Sequence, residues 1–356
     1  MDKRLSKNGG SDLFLSRIEC NMLRGLAIIL IVLNNFGHKV NGVHPDNEFN
    51  FDYGRVLGFW DSFINHSYVL PLELLSFYSP FGVMLFIFLS GYGLVLKYEK
   101  SDCQSISNSG FVYNHYKKLF VMQAKGLAFF LLLYLIFESK EIVPVLPFIK
   151  QLLLTGNILS HHFVIPGPYW FFCMIFEMYL IYRFVLYRCS SKIMMFIVLV
   201  SLAIMGFLEP NGKIMTYVRM NVGLALLPFS LGVLTARHWR KDIIDLDSKL
   251  KCVACFIIAF VFLTLSKFSF YTWLLMPIFI IVTSISLVKL LVKSKVLSQV
   301  LTWFGGLSGV MFVIHPALRE ILITRANESG QCYEVLFIYF FLTIVLSIIL
   351  KPVFSK

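Results

Sequence analysis

Apolar residues recur along the whole chain in runs of about 17–25 residues, which is the length a helix needs to cross the hydrocarbon core of a bilayer. Short polar segments separate these runs. The pattern predicts ten membrane-spanning helices at 22–38, 79–97, 119–138, 169–187, 192–208, 218–235, 251–266, 270–291, 299–316 and 333–350. No linker or internal repeat divides the chain, so we expect one all-α transmembrane bundle over residues 1–356.

Basic residues between the spans indicate the orientation of the bundle. With the first twenty residues in the cytoplasm, far more Lys and Arg residues fall in inside segments than in outside ones. Cytoplasmic loops of membrane proteins carry this excess. The ten-span pattern therefore predicts that both ends of the chain are cytoplasmic, since an even number of crossings returns the chain to the same side.

Composition excludes a soluble domain of this size. The 356 residues are 58% hydrophobic and only 15% charged, whereas soluble domains carry about 25% charged residues. The formal net charge of +12 follows from the basic cytoplasmic loops, and we expect a lipid bilayer and no nucleic acid as partner. The polar, basic N-terminus lacks a small-residue cleavage site, so the first apolar run is expected to be a retained helix.

Two predicted outer loops, 39–78 and 139–168, are long and contain apolar pieces. Each is expected to form short helices on the outer membrane interface. Long loops on a rigid bundle are a common place for substrate binding. The Cys252-x-x-Cys255 pair has no second pair or nearby His, so it predicts small residues on a membrane helix, and no metal site is expected.

Polar residues within apolar spans are costly and therefore indicate function. His38 and His315 are both expected near the outer face, where a histidine could act as a general base if it meets Asn34 and Asn35. Glu177 lies inside its span and either has a function or pairs with a basic residue of a neighbouring helix. Lys125 and Arg219 are explained by snorkelling to the interface.

Arg24 begins the same helix on the cytoplasmic side. It lies about 21 Å from His38 along a continuous helix, at 1.5 Å per residue. A guanidinium there could bind a phosphate or carboxylate in a bidentate way. The alternative is an ordinary cytoplasmic anchor of the kind that the positive-inside rule describes.

Five segments, in order, carry a resemblance to a known family. They are Leu23–Ile28, Phe81–Tyr92, Pro166–Phe172, Leu227–Gly232, and Gly306–Ser308 with Ile314–Pro316. Together they resemble the acyltransferase 3 family of membrane proteins, which O-acetylate sugars and related envelope molecules. The resemblance covers nearly the whole chain and implies acetyl-CoA as the acyl donor, an envelope carbohydrate or glycolipid as the acceptor, and the cytoplasmic membrane as the location.

The chain departs from that family at one important place. The family has a histidine, thought to be the catalytic base, ten or eleven residues after the signature Arg24, and here these positions are Asn34 and Asn35. An amide cannot take a proton from a hydroxyl. Either His38, which is one turn after Asn34 on the same helix face, or His315 replaces it, or the chemistry has been lost.

The resemblance also suggests roles for further residues. Arg24, Lys117 and Lys118 would bind the phosphates of the donor on the cytoplasmic side. Tyr169 and Trp170 would contact the acceptor near the outer face, close to the candidate catalytic residues His38, Asn34, Asn35, His315 and Glu177. Two alternatives stay open: a solute or glycan transporter on the same scaffold, and a non-catalytic member of the fold that binds donor or sugar without turnover.

Overall fold

The fold is all-helical. The computed structural model describes residues 13–44, 47–66, 68–78, 81–100, 106–137, 145–159, 166–239 and 248–355. Every secondary-structure element in these ranges is a helix, which confirms the all-α prediction. The first part of the predicted N-terminal segment, 1–12, and parts of the second long loop, 138–144 and 160–165, lie outside the described residues.

Sixteen α-helices follow one another along the described ranges. They are α1 Arg17–Gly37, α2 Tyr53–Asn65, α3 Leu70–Tyr78, α4 Phe81–Tyr98, α5 Asn108–Ile136, α6 Val145–Leu152, α7 Gly156–Leu159, α8 Trp170–Ile181, α9 Ser191–Gly206, α10 Lys213–Met220, α11 Val222–His238, α12 Lys249–Leu265, α13 Phe270–Leu274, α14 Met276–Leu291, α15 Lys295–Ser329 and α16 Cys332–Ser355. A 3₁₀ turn, Gly167–Tyr169, leads into α8, and a π-helical turn, Tyr182–Leu186, follows it.

Within the described residues, seven helical stretches are long and apolar enough to cross a membrane. They are Arg17–Gly37, Leu70–Tyr98, Asn108–Ile136, Gly167–Leu186, Lys249–Phe268, Lys295–Ser329 and Cys332–Phe354. The pair α10 and α11, bent by 41°, makes an eighth if it is one broken span. The apolar helices α9 and α14 are shorter. The chain is thus a multi-pass membrane protein, while the count of ten spans and the cytoplasmic position of both ends stay predictions.

Each predicted span overlaps one of these apolar helices, but some ends differ. The predicted ninth span stops at residue 316, whereas α15 continues to Ser329. The continuous apolar run that defines this span ends near Pro316. In the structure the helix continues past it with polar residues among the apolar ones, which moves Arg319 from a predicted loop into a helix.

Helix α1 lies between α4 and α15, and a pair of glycines sets its closeness to α15. A Cβ atom on Gly25 would stand 2.0 Å from the carbonyl oxygen of Leu301, and one on Gly305 would stand 2.1 Å from that of Asn21. A Cβ atom cannot lie so close to a carbonyl oxygen, so only glycine fits at these two positions. The backbones of α1 and α15 are therefore in direct contact here. Gly93 of α4, in contrast, has nothing within 4 Å of its Cβ position, so no close approach of another helix depends on it.

The start of α1 is fixed by polar contacts. Ser16 and Glu19 form a reciprocal capping box, which satisfies backbone N–H groups at the helix start. Glu19 also pairs with Lys289 of α14 at 3.0 Å, and both side chains are buried. These contacts fix the register of α1, and with it the positions of Arg24 near one end and His38 at the other.

Both long loops contain short helices, as expected. The first includes α2 and α3 and the second includes α6 and α7. On α2 the apolar side chains of Trp60 and Ile64 are exposed, and on α6 those of Leu146 and Ile149 are exposed. Exposed apolar faces on short helices beside a membrane bundle agree with a place at the interface.

Candidate active site

A cavity lined by both polar and apolar residues, which we call the polar cavity, lies at the C-terminal end of α1. Its volume is about 350 Å³. Helices α1, α4, α8 and α15, the end of α10, the loop after α1 and the 3₁₀ turn before α8 contribute to its wall. The lining residues are Ile31, Asn34, Asn35, His38, Lys39, Asn47, Glu48, Phe49, Val83, Gly167, Pro168, Trp170, Phe171, Met220, Phe312 and Arg319. The cavity therefore brings together four of the predicted site residues, from two separate parts of the sequence.

His38 and Asn34 meet on one face of α1 at the cavity. His38 caps the helix with its backbone N–H on the carbonyl of Asn34. Its Nδ1 is 3.5 Å from Oδ1 of the buried Asn34. If Nδ1 carries the proton and donates it to that oxygen, Nε2 is left as a proton acceptor. Burial, together with the positive charges of Arg319 and Lys39, lowers the pKa of His38, so the imidazole is neutral near pH 7.

Asn35 is bound to a cation from α15. Arg319 Nη1 donates to Asn35 Oδ1 at 3.2 Å, and Asn35 Nδ2 donates to the carbonyl of Ile31 at 2.9 Å. Arg319 is buried, and its Nη2 also contacts the half-exposed carboxylate of Glu320. Sequence reasoning placed Arg319 in an outer loop and missed it. A helical pattern continued through Pro316 would have put it one turn after His315, on the same face.

Of the two aromatic residues expected to contact an acceptor, only one lines the cavity. Trp170 does so, with its ring edge-on to Phe49 at 4.9 Å. Tyr169 is fully buried beneath, where its hydroxyl donates to the carbonyl of Val313 at 2.7 Å. This bond ties the 3₁₀ turn to α15, which gives Tyr169 a role in shaping the wall.

The loop after α1 carries Glu48 and Phe49 to the cavity and is anchored by Glu73 of α3. This buried carboxylate accepts from the backbone N–H and the Nδ1 of His44, each at 2.7 Å, and from the hydroxyl of Ser62 at 3.1 Å. Three donors on one carboxylate oxygen compensate for its burial. The loop wall of the cavity is therefore held by a polar anchor on α3.

Arg219 was expected to snorkel, and the structure instead buries it. Its side chain is 2% exposed, its Nε donates to the backbone carbonyl of Glu48 at 2.6 Å, and its guanidinium lies 4.1 Å from the ring centroid of Trp273. The break at Asn221 between α10 and α11 accounts for this, because α10 turns away from the direction of α11. Arg219 supports the loop wall from behind.

His315 and Glu177 do not line the cavity. His315 is fully buried on α15, with Nδ1 on the carbonyl of Met311 at 3.0 Å and no partner for Nε2 among the described residues. Its ring meets Phe312, which does line the cavity, at 5.8 Å. Glu177 has one buried carboxylate oxygen without a hydrogen bond, and no described Lys or Arg pairs with it. The structure thus gives no support to the ion-pair interpretation of Glu177.

The predicted donor-binding residues lie toward the other end of the bundle. Arg24 is exposed and donates to Asn21 at 3.3 Å. Arg24 and Lys97 are the neighbouring charges that act on Lys118, so these three form one basic cluster. Lys117 is also exposed, but it lies over the ring of Tyr113 at 5.9 Å. The cluster could bind phosphate groups through charge-assisted hydrogen bonds.

Aromatic rings separate this basic cluster from the polar cavity. Phe171 and Phe312 line the cavity with their rings 5.3 Å apart, and Phe86 lies against Phe171 at 6.4 Å. One turn further along α4, Ser90 donates to the carbonyl of Phe86. Tyr179, which interacts with Ser90, is also within reach of the charge of Arg24. Ring contacts, hydrogen bonds and an electrostatic interaction therefore link the cavity to the basic cluster.

No group of three or more His, Cys, Asp or Glu side chains in the described ranges is placed to hold a metal ion. In comparisons with known proteins, the family described as "Acyltransferase domain", Acyl_transf_3, matches residues 17–352. No curated protein matches the chain, and neither does any solved structure.

Proposed function

Because the chain belongs to this acyltransferase family over nearly its whole length, we propose that it transfers an acetyl group from acetyl-CoA to a hydroxyl of an envelope carbohydrate or glycolipid, in the cytoplasmic membrane. The family supports acyl transfer in general. The donor, the acceptor class and the membrane are the proposed part.

The observation that carries the proposal is the position of His38. Neither Asn34 nor Asn35 can act as a base, but His38 lines the same cavity and has an asparagine oxygen beside its Nδ1. A histidine held in one tautomer by an acceptor on Nδ1 is the arrangement that general-base catalysis uses. The imidazole that the family places one turn earlier on α1 is thus replaced within the same site.

The proposed reaction is a direct transfer. His38 Nε2 takes the proton of the acceptor hydroxyl as its oxygen attacks the thioester carbonyl of acetyl-CoA. The tetrahedral intermediate collapses with cleavage of the C–S bond, and the thiolate of CoA takes up the proton from the imidazolium. The products are the O-acetyl ester and CoA. Trp170 and the loop wall would hold the acceptor at the cavity.

The donor would bind at the basic cluster of Arg24, Lys97 and Lys118. Its thioester must then approach His38, about 21 Å from Arg24 along α1. The aromatic contacts of Phe86, Phe171 and Phe312 lie between the two places. We propose that the acyl arm passes between α1, α4, α8 and α15 with these rings moved aside.

The test is CoA release by the purified protein in nanodiscs, given acetyl-CoA and a mixed extract of envelope glycans. We expect release that requires glycan and is lost in His38→Ala. His315→Ala is the matched control, because that histidine lies outside the cavity wall, and it should retain release if the variant stays folded. Loss in His315→Ala with retention in His38→Ala would reverse the assignment, and full activity in both variants would contradict a histidine base.

A transporter is the second candidate, favoured by one observation. The two asparagines that replace the family histidine are engaged with neighbouring groups, Asn35 with Arg319 and Asn34 with His38. A polar cavity without a working base could still carry a solute. Glycan or solute uptake by proteoliposomes, with no CoA release, would favour this function over acyl transfer. Binding of acetyl-CoA without turnover or transport would indicate a non-catalytic member.

A further inference from the structure

Two basic side chains line the polar cavity together with His38. Among the described lining residues they are Arg319 and Lys39, and both charges act on the imidazole of His38. Arg319 is 4% exposed, and Lys39 is exposed. One cation is therefore built into the wall and the other stands at its edge.

The acidic residue of the lining is already opposed by a cation. Glu48 belongs to the loop wall, and its carboxylate is the charge that acts on the buried Arg219. The backbone carbonyl of Glu48 accepts from Arg219 as well. The charge of Glu48 is thus opposed by Arg219 from behind the wall. Arg319 and Lys39 contribute positive charge to the lining, and the half-exposed carboxylate that pairs with Arg319, that of Glu320, is not among the lining residues.

Arg319 has a hydrogen-bond donor left to give. Its Nη1 donates to Asn35 and its Nη2 contacts Glu320, while its buried Nε has no partner in the described part of the chain. A buried guanidinium N–H without an acceptor is costly, and native structures rarely contain one without a purpose. An acceptor oxygen of a bound molecule would supply the hydrogen-bond partner that Arg319 Nε lacks.

A neutral hydroxyl could accept this hydrogen bond, but it would bring no negative charge to a cavity that Arg319 and Lys39 line. A carboxylate or phosphate oxygen satisfies the N–H group and the charge together, and guanidinium is the side chain best matched to these planar or tetrahedral anions. Charge complementarity therefore favours an anionic occupant over a neutral one.

We propose that the cavity takes an acceptor whose reactive hydroxyl lies beside an anionic group, a carboxylate or a phosphate, with Arg319 and Lys39 holding that group next to His38. This inference rests on the proposed acyl transfer, because only that reaction makes the bound molecule an acceptor. Binding of an anionic sugar to the cavity does not itself depend on turnover. It defines a class of substrate, acidic sugars or sugar phosphates, that the family membership alone does not specify.

The test compares three forms of one oligosaccharide that end in glucose, in glucuronate and in glucose 6-phosphate. Binding to the full-length protein in nanodiscs is measured by titration calorimetry at fixed low ionic strength, and CoA release is measured in parallel. We expect at least one acidic form to bind about tenfold or more tightly than the neutral form, as a charge-assisted hydrogen bond to a buried cation implies.

Three variants locate the effect. Arg319→Gln should abolish the preference for the acidic form. Lys39→Gln, at an exposed position where folding is not at risk, should reduce the preference by a smaller factor and weaken its salt dependence. Arg325→Gln removes the same charge from an exposed position further along α15 and should preserve the preference in full.

The outcomes separate the inference from the proposed function. Equal affinity of the wild type for neutral and acidic forms would overturn the inference, and so would an equal loss for both forms in Lys39→Gln and Arg319→Gln. Selective binding of an acidic form without CoA release would uphold the anion site and contradict acyl transfer. CoA release with the neutral form alone would leave acyl transfer standing and refute the anionic acceptor. The carboxylate and phosphate arms identify which anion is preferred.

Discussion

At the scale of single residues, the side chains around the polar cavity differ in which of their polar atoms already have a hydrogen-bond partner. His38 has its Nδ1 beside an amide oxygen, so its Nε2 can serve as a base. Asn35 has an acceptor and a donor already in use. His315 has no described partner for its Nε2, but it is fully buried and does not line the cavity. These differences, more than residue type, favour His38 as the proposed base.

We expect Asn34→Ala to lower kcat by about tenfold or more while membrane abundance stays unchanged. The variant keeps the base but loses the oxygen that fixes its tautomer and ring orientation, and a correctly placed base contributes about 10²–10⁴-fold. KM should change little, since the acceptor and donor contacts remain. Steady-state CoA release checks this result.

Asn34→Asp is the informative companion variant. It retains an acceptor oxygen and should recover most of kcat, and its negative charge should raise the pKa of His38 and move the acid limb of the rate profile to higher pH. A purely structural role for Asn34 would predict loss of folded protein in the alanine variant and no such pH shift.

The environment of His38 also predicts the pH dependence of the wild type. Burial and the charges of Arg319 and Lys39 lower the pKa of His38, and a base works only when deprotonated. The neutral form therefore persists as pH falls, and activity should be lost only well below pH ~6.5, the ordinary histidine value. The profile of kcat/KM against pH measures this, and an acid limb near or above the ordinary value would contradict it.

At the scale of elements, the close packing of α1 against α15 decides which residues meet at the cavity. Gly25 and Gly305 let the two backbones touch near one end of α1. From that contact the helices carry Asn34, Asn35 and His38 on one side, and Phe312 and Arg319 on the other, to the same cavity. The 3₁₀ turn joins them through the hydroxyl of Tyr169.

We predict that Gly305→Ala destabilises the bundle by about 1–3 kcal/mol or more, as overpacking does, because its Cβ would meet the carbonyl of Asn21 at 2.1 Å. Gly93→Ala is the matched control, since its Cβ would have nothing within 4 Å. The measurement is the thermal unfolding midpoint of the detergent-purified variants. Equal midpoints for the two variants would show that α1 and α15 separate without cost.

At the scale of the whole molecule, the number of crossings decides on which side each end of the chain lies. In the described part of the chain, seven helical stretches are long and apolar enough to be spans, and the bent pair α10–α11 makes eight if it is one span. The shorter α9 and α14 raise the number to ten if they also cross. An odd number would separate the two ends, whereas eight or ten would keep them together.

We expect both ends to be cytoplasmic, as the distribution of Lys and Arg predicts. A green fluorescent protein fused after Lys356 should therefore fluoresce, and alkaline phosphatase fused there should be inactive. The same reporters fused in front of Met1 should give the same result. Opposite results at the two ends would establish an odd number of crossings. The sides of the membrane assigned to the polar cavity and to the basic cluster would then have to be revised.

The sequence by itself determined the features that depend on local pattern. Run length and hydrophobicity predicted an all-helical membrane protein, because backbone groups in a bilayer must be satisfied within each helix. Short motifs identified the acyltransferase family, and the i, i+4 spacing placed His38 on the face of Asn34. Each of these follows from residues that are near one another in the chain.

Only the tertiary structure decided which distant residues share a site. It brought Arg319 to Asn35, from parts of the chain that hydropathy had separated into a loop and a span. It buried Arg219 behind Glu48, kept Tyr169 and His315 out of the cavity wall, and left Glu177 without a described basic partner. Such contacts depend on helix packing, on a bend between α10 and α11 and on a helix that continues through Pro316. The local spacing of apolar residues along the chain predicts none of these.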